Sequence, residues 1–175
     1  MKKFRGNVFL VGPMGAGKTT IGRHLSDILH QEFVDSDHEI EARSGANIPW
    51  IFDVEGEEGF RHREELVIDA LTQRKNIVLG TGGGAVLRQA NRQYLHERGT
   101  VVYLQTPVSL QLERTGRDRN RPLLRTSDPQ QKLSELLALR EPLYLEIAHI
   151  VMPTSGGSAR DLAMKIVHAL NALSG

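Results

Sequence analysis

The sequence predicts an α/β fold in which helices cover both faces of a parallel sheet. Three observations support this prediction. Short apolar runs of high β propensity alternate with segments of helical periodicity along nearly the whole chain. The first of these runs leads directly into a glycine-rich loop and then into an amphipathic helical pattern. The length of 175 residues, with no repeat or low-complexity tract, favours one domain spanning 1–175.

The elements follow from the apolar pattern in chain order. Five β-rich runs are predicted at 7–11, 32–35, 76–79, 100–105 and 149–152. Helical periodicity is predicted at 18–29, 58–73, 88–97, 108–114, 130–139 and 159–173. Two stretches interrupt the alternation. Residues 44–59 are interpreted as a short helical insertion. The arginine-rich residues 116–128 are interpreted as a functional segment such as a lid, and the alternative is a solvated surface loop without a function.

The stretch GPMGAGKTT after the first strand carries the strongest motif. Its spacing of Gly12, four residues, then Gly17-Lys18-Thr19 fits a phosphate-binding loop. Glycine allows successive backbone N–H groups to converge on an anion, and the N-terminus of the following helix attracts the same charge. In such loops the lysine reaches the outer phosphates and the hydroxyl binds Mg²⁺.

The second strand ends in the acids Asp35 and Asp37, within FVDSD. Asp35 is a candidate for holding a Mg²⁺ ion together with Thr19, and Asp37 would then face an acceptor. The alternative interpretation is a helix start, since Ser36 and Glu39 have the spacing of a capping box.

Two further features are predicted to lie at the same sheet edge. Arg61 begins a helix after an acidic turn, where it could bind a carboxylate or form a surface ion pair. The glycines Gly82, Gly83 and Gly84 follow the third strand, and three in a row exceed what a turn needs. Bare backbone there would let a small ligand lie against the chain.

Composition excludes several function classes. The 22 Lys and Arg residues nearly balance the 21 Asp and Glu residues, and the arginine-rich segment has no aromatic residues to stack bases, so we expect no nucleic-acid partner. The absence of cysteine excludes disulfides and thiolate metal sites and fits a reducing cytoplasm. We read no signal peptide and no membrane span, and we expect a cytoplasmic monomer.

Six motifs follow one another along the chain, in the order GPMGAGKTT, FVDSD, GEEGFRHRE, TGGGAV, RPLL and LREPLY. Together they resemble the shikimate kinase family of small P-loop kinases, its bacterial members in particular. The resemblance covers nearly the whole chain. It implies the P-loop kinase fold, with a five-stranded parallel sheet, a lid at about 114–128 and a substrate-binding region at about 35–62. It also implies transfer of the ATP γ-phosphate to the 3-hydroxyl of shikimate, on the route to chorismate and the aromatic amino acids.

The resemblance also implies residue roles. The ATP phosphates would be bound by Gly15, Ala16, Gly17, Lys18, Thr19 and Thr20, with Arg121 as the lid arginine, while Arg114 and Gly157 would flank the adenine. Thr19 and Asp35 would hold Mg²⁺, and Lys18, Asp37 and Arg121 would be catalytic. Shikimate would be bound by Asp37, Arg61, Gly82, Gly83, Gly84 and Arg140, the two arginines gripping its carboxylate.

Competing functions are less consistent with these motifs. A gluconate kinase or a nucleoside monophosphate kinase would share the first loop and a lid, but the paired aspartates, two arginines and triple glycine fit shikimate better. A nucleotide-dependent switch is disfavoured because no N-K-x-D guanine motif follows the loop. An inactive scaffold is disfavoured because Lys18, Asp37 and Arg121 are intact.

Overall fold

The computed structural model describes residues 3–116 and 126–175. All five strands are parallel and lie in one sheet, in the order β2-β3-β1-β4-β5. The strands are β1 (Val8–Val11), β2 (Glu32–Asp35), β3 (Ile77–Gly80), β4 (Thr100–Gln105) and β5 (Ile150–Pro153). The helices are α1 (Lys18–Leu29), α2 (Ser36–Ser44), α3 (Ile48–Thr72), α4 (Gln89–Arg98), α5 (Val108–Thr115), α6 (Pro129–Ile147) and α7 (Ala159–Leu173), with a 3₁₀ turn at Ala85–Leu87.

The central strand β1 divides the core into two layers. Its four residues are fully buried and alternate in direction, as a strand requires. Phe9 and Val11 pack in a cluster that includes residues of α3, α4 and α6, while Val8 and Leu10 pack in a second cluster with α1 and α7. Helices therefore cover both faces of the sheet, which confirms the fold class predicted from the sequence.

The predicted helix 130–139 is too short. Helix α6 continues through Pro142 to Ile147, although proline removes one backbone hydrogen bond and disfavours a helix interior. Leu133, Arg140, Tyr144 and Ile147 are buried along this helix. Tertiary burial of its inner face outweighs the local cost of the proline, which the sequence pattern alone could not reveal.

The predicted insertion at 44–59 is instead a junction between two helices. It spans the end of α2, a short turn and the first half of α3, which begins ten residues earlier than the predicted 58. Gly56, with φ 75° and ψ 178°, bends α3 in this region. Two contacts cross the bend: Phe52 packs on Phe60, and Glu55 accepts two hydrogen bonds from Arg63 at 2.8 and 2.7 Å.

Within 3–116 and 126–175, no helix is both long and apolar enough to cross a membrane.

The contact between α1 and β2 depends on a helical glycine. A Cβ atom on Gly22 would lie 2.4 Å from the ring of Phe33 and 3.2 Å from Leu10. We expect Gly22→Ala to lower the free energy of unfolding by about 1–2 kcal/mol, since overpacking exceeds the gain in helix propensity. Urea denaturation followed by circular dichroism would measure this. Asp27→Ala, at an exposed position of the same helix, is the control and should change stability by less than about 0.5 kcal/mol; equal stabilities of the two variants would contradict the packing argument.

Candidate active site

The carboxyl ends of three neighbouring strands define the candidate site. Strand β3 lies between β1 and β2, so the loops that follow these three strands meet at one edge of the sheet. The side chain of Thr81, just after β3, donates a hydrogen bond of 2.8 Å to the Leu10 carbonyl of β1. This bond ties the glycine turn 82–84 to the start of the glycine-rich loop.

The glycine-rich loop has the backbone conformation that its composition predicts. Gly12, Gly15 and Gly17 all have positive φ, at 153°, 77° and 87°. No side chain caps the N-terminus of α1, because Gly17 occupies the N-cap position. The first N–H groups of α1 therefore face the loop interior, as in anion sites at helix N-termini. Lys18 lies beside them, and its Nζ donates to the carbonyls of Gly12 and Pro13 at 2.5 and 2.9 Å.

A cavity of about 440 Å³ opens above this loop. Arg114 lines it, and its Nη1 donates to the Gly15 carbonyl at 2.9 Å. The structure thus brings the two predicted adenine neighbours, Arg114 and Gly157, to the cavity of the predicted phosphate residues. The lining residues with predicted roles are Gly15, Ala16, Gly17, Lys18, Thr19, Thr20, Asp35, Asp37, Arg114 and Gly157.

Thr19 and Asp35 form the pair predicted to hold a metal. The Thr19 hydroxyl donates to Asp35 Oδ2 at 3.2 Å, and both residues line the cavity. In the described part of the chain, no three His, Asp or Glu side chains cluster closely enough to hold a metal. Mg²⁺ commonly takes one or two protein ligands and completes its shell with phosphates and water, so this oxygen pair fits a Mg²⁺ shared with a nucleotide.

Asp35 also caps helix α2, which corrects one detail of the sequence interpretation. Its Oδ1 accepts from the backbone N–H groups of Asp37 and His38, at 2.9 and 3.2 Å, so Asp35 rather than Ser36 is the N-cap. The Ser36 hydroxyl instead accepts from the Gly82 N–H at 3.1 Å. The helix start and the candidate metal site therefore use the same carboxylate.

Gly82 and Gly84 make room for side chains from other elements. A Cβ on Gly82 would lie 2.8 Å from Asp37 Oδ1 and 3.0 Å from Glu64 Oε2. A Cβ on Gly84 would lie 2.4 Å from an Arg61 nitrogen. The glycines thus let functional side chains approach the backbone, in addition to the ligand that the sequence suggested.

Arg61 is held by a buried ion pair. It is 7% exposed, and its Nη1 donates to Oε1 of the fully buried Glu64 at 2.9 Å, while its Nε contacts Glu57 at 3.4 Å. The surface-pair alternative for Arg61 is therefore wrong. Burial raises the pKa of the Glu64 carboxyl above its ordinary value, and the Arg61 cation opposes this rise.

Arg140 reaches the same turn from α6 without a partner acid. Arg140 is 4% exposed, and a Cβ atom added to Gly83 would lie 3.5 Å from its Nη1. No carboxylate of residues 3–116 or 126–175 lies within ion-pair distance of Arg140. Burial lowers the pKa of Arg140, and the Arg61 cation lowers it further. Two buried guanidinium groups meet here, and Glu57 and Glu64 both contact Arg61, whereas none of the described carboxylates contacts Arg140 directly.

The comparisons with known proteins agree with this arrangement. Residues 14–171 match the family model for shikimate kinase. The chain belongs to the shikimate kinase family. A shikimate kinase of Acinetobacter baumannii strain AYE is 60% identical over 164 residues, which cover 94% of this chain and 91% of that protein. One of Pasteurella multocida is 58% identical over 170 residues, covering 97% of both chains.

Solved structures of the family have the same fold. Shikimate kinase from Acinetobacter baumannii in complex with shikimate matches with a TM-score of 0.94 and 59% identity, over 95% of this chain and 93% of that one. A gluconokinase from Sinorhizobium meliloti matches over 98% of this chain and 95% of that one, with a TM-score of 0.65 at 16% identity. The second likeness shows the P-loop kinase fold alone.

The sequence interpretation missed some residues of this site, and one predicted residue lies outside the described part. Glu64 follows Arg61 by three residues in the quoted helix start, a spacing that places both on one helix face. The sequence pattern assigns no role to Tyr144, the last residue of LREPLY. Its hydroxyl nevertheless contacts Gly83. Arg121 falls outside the described residues, as do residues 117–125 of the predicted lid.

The buried Glu64 gives stability a defined pH dependence. Because its folded-state pKa is raised, the folded chain binds this proton more tightly than the unfolded chain. The resulting stabilisation is complete below the ordinary pKa of 4.5 and is lost as the pH rises through the folded-state value. We expect the stability of wild type relative to Glu64→Gln, which cannot titrate, to fall over that window. Urea midpoints from below pH 4.5 to neutrality would measure it, with exposed Glu135→Gln as control; a difference that rises with pH would contradict the sign.

Proposed function

We infer that this chain is an ATP-dependent kinase that transfers the γ-phosphate of ATP to the 3-hydroxyl of shikimate, a step towards chorismate and the aromatic amino acids. Family membership over nearly the whole chain carries this conclusion. The geometric observation that supports it is the glycine turn 82–84, which brings Asp37, Arg61 and Arg140 together beside the phosphate loop. This set matches a small hydroxylated acid placed in line with a nucleotide phosphate.

The nucleotide would lie in the 440 Å³ cavity. Its phosphates would accept hydrogen bonds from the backbone of residues 15–20, and Lys18 would neutralise charge that develops on them during transfer. Arg114 and Gly157 would flank the base. The predicted lid arginine, Arg121, would add positive charge at the phosphates on the same reasoning.

Thr19 and Asp35 would hold Mg²⁺ together with the phosphates, and the ion would supply charge neutralisation at the transferred group. The support for this role is the 3.2 Å contact between their oxygens. The cap that Asp35 provides to α2 fixes its carboxylate, because Oδ1 is held by two backbone N–H groups while Oδ2 faces Thr19.

Asp37 would orient the acceptor hydroxyl and accept its proton as the phosphate arrives. Its position supports this role, since the residue lines the nucleotide cavity and lies against Gly82 of the acceptor side. The carboxylate of shikimate would lie between Arg61 and Arg140, where Arg140 lacks a carboxylate of the described residues in direct contact, and the backbone of 82–84 would face the ring hydroxyls. The predictions of a monomer and of a cytoplasmic location stay predictions from the sequence.

The direct test is an acceptor comparison. Purified protein with Mg-ATP should release ADP when shikimate is added and form phosphorylated shikimate by mass spectrometry. Gluconate and nucleoside monophosphates should give no more ADP than ATP alone. ADP formation with gluconate and none with shikimate would overturn the proposed acceptor while leaving the phosphate loop in place.

Arg140 should affect binding of the acceptor more than the chemical step. We expect Arg140→Ala to raise the KM for shikimate roughly a hundredfold, because a carboxylate loses a buried partner, with kcat changed only a few-fold. Arg140→Lys keeps the charge but loses the planar fork, so its KM should lie between wild type and alanine. Lys165→Ala, an exposed charge on α7, is the surface control. A large loss of kcat at unchanged KM would contradict this role.

A further inference from the structure

Tyr144 lies beneath the glycine turn and contacts it directly. Its side chain is 1% exposed, and its hydroxyl donates a buried hydrogen bond to the Gly83 carbonyl at 2.5 Å. Gly83 is itself buried, so water is not a ready substitute for this donor. The hydroxyl therefore fixes one carbonyl in the middle of the segment that faces Asp37, Arg61 and Arg140.

The ring of Tyr144 is held from the far side by a second tyrosine. Tyr103 of β4 stacks on it with ring centroids 5.0 Å apart. The Tyr103 hydroxyl in turn donates to Glu141 of α6 at 2.5 Å. The stacked ring of Tyr103, rather than its hydroxyl, limits the freedom of the Tyr144 hydroxyl to leave Gly83.

One helix face reaches Gly83 twice. Arg140 and Tyr144 are four residues apart on α6, so they project from the same side. Arg140 Nη1 lies 3.5 Å from where a Cβ on Gly83 would be, and Tyr144 binds the Gly83 carbonyl oxygen. Any shift of the glycine turn would therefore change its spacing from the Arg140 guanidinium.

The carbonyl contact also orients the next backbone N–H. No peptide bond in the described part of the chain is cis, and in a trans peptide the C=O and the following N–H point in opposite directions. With its carbonyl on Tyr144, the peptide joining Gly83 and Gly84 presents the Gly84 N–H on the side away from α6. Among the described residues, no backbone carbonyl accepts a hydrogen bond from the Gly83 or the Gly84 N–H, and both residues are buried.

We propose that Tyr144 is a positioning residue for the acceptor site: its hydroxyl holds the Gly83 carbonyl beside the Arg140 side chain, and so fixes the glycine turn relative to that arginine. This inference rests on the proposed function, because it assigns Tyr144 to the shikimate side of that site. Tyr144 acts through Gly83 and Arg140, and it does not line the nucleotide cavity.

The test compares two phenylalanine variants that each remove one hydroxyl. Tyr144→Phe keeps the ring and its stacking but removes both the donor to the Gly83 carbonyl and the hydroxyl that interacts with the Arg140 side chain. We expect the KM for shikimate and its dissociation constant by calorimetry to rise about tenfold. The KM for ATP should stay within twofold, and kcat should fall by less than threefold. Tyr103→Phe, which loses only the bond to Glu141, should leave the KM for shikimate within twofold of wild type.

Each possible result either supports or overturns the role assigned to Tyr144. A selective rise in the KM for shikimate in Tyr144→Phe alone supports the assignment. An unchanged KM in a folded Tyr144→Phe, or an equal rise in both variants, overturns it. Equal losses for ATP and shikimate, or a Tyr144→Phe chain that no longer folds, would place the hydroxyl in general stability and also overturn it. Wild type runs in the same assay, and its failure to phosphorylate shikimate would instead overturn the proposed function.

Discussion

The site depends on the close approach of side chains to the bare backbone of 82–84. A β-carbon on Gly84 would lie inside contact distance of the Arg61 guanidinium, and one on Gly82 would do the same to Asp37. Because these side chains come from α2 and α3, and Arg140 comes from α6, the glycines are the place where three separate elements meet. At Gly82 and Gly84 the chain needs glycine for space, since neither has a positive φ, whereas a Cβ on Gly83 would meet no atom nearer than 3.5 Å. The close approach of side chains from other elements, and not the backbone conformation of the turn, explains why glycine occupies positions 82 and 84.

The sheet order connects this meeting point to the phosphate loop. Strand β3 is the neighbour of both β1 and β2, so its carboxyl end lies between the loop after β1 and the aspartates after β2. The two interpretations of FVDSD, a metal ligand and a helix cap, then turn out to be compatible. One oxygen of Asp35 caps α2 and the other faces Thr19, so the bond that starts the helix also orients the metal-binding oxygen. The same helix start places Asp37 against Gly82.

Local pattern was enough for the sheet and the loop because both are encoded in contiguous residues. The glycine spacing at 12–17 and the apolar runs of the strands are visible without knowledge of the fold. Features set by packing were missed or misplaced: α6 continues past Pro142 because its inner face is buried, and α3 begins earlier because Gly56 bends it without ending it. Glu64 and Tyr144 were missed for the same reason, since their partners Arg61 and Gly83 matter only once burial removes water. A sequence shows the charged side chains, whereas burial decides which of them must be paired.

That burial also limits the kind of acceptor that suits the site. Arg61 and Arg140 are both over nine-tenths buried, and among the described residues only Glu64 supplies a buried carboxylate beside them. Burial is the largest influence on the pKa of Arg140 and lowers it, the Arg61 cation adds to this, and Tyr144, Glu57 and Glu64 oppose it, so a ligand carboxylate would further stabilise the charged form. A neutral sugar would leave this buried cation with no carboxylate in direct contact, only the more distant charges of Glu57 and Glu64. A ligand with one carboxylate balances the second arginine and leaves Glu64 bound to the first. The electrostatics of the turn therefore favour a hydroxylated acid over a neutral polyol, independently of the family to which the chain belongs.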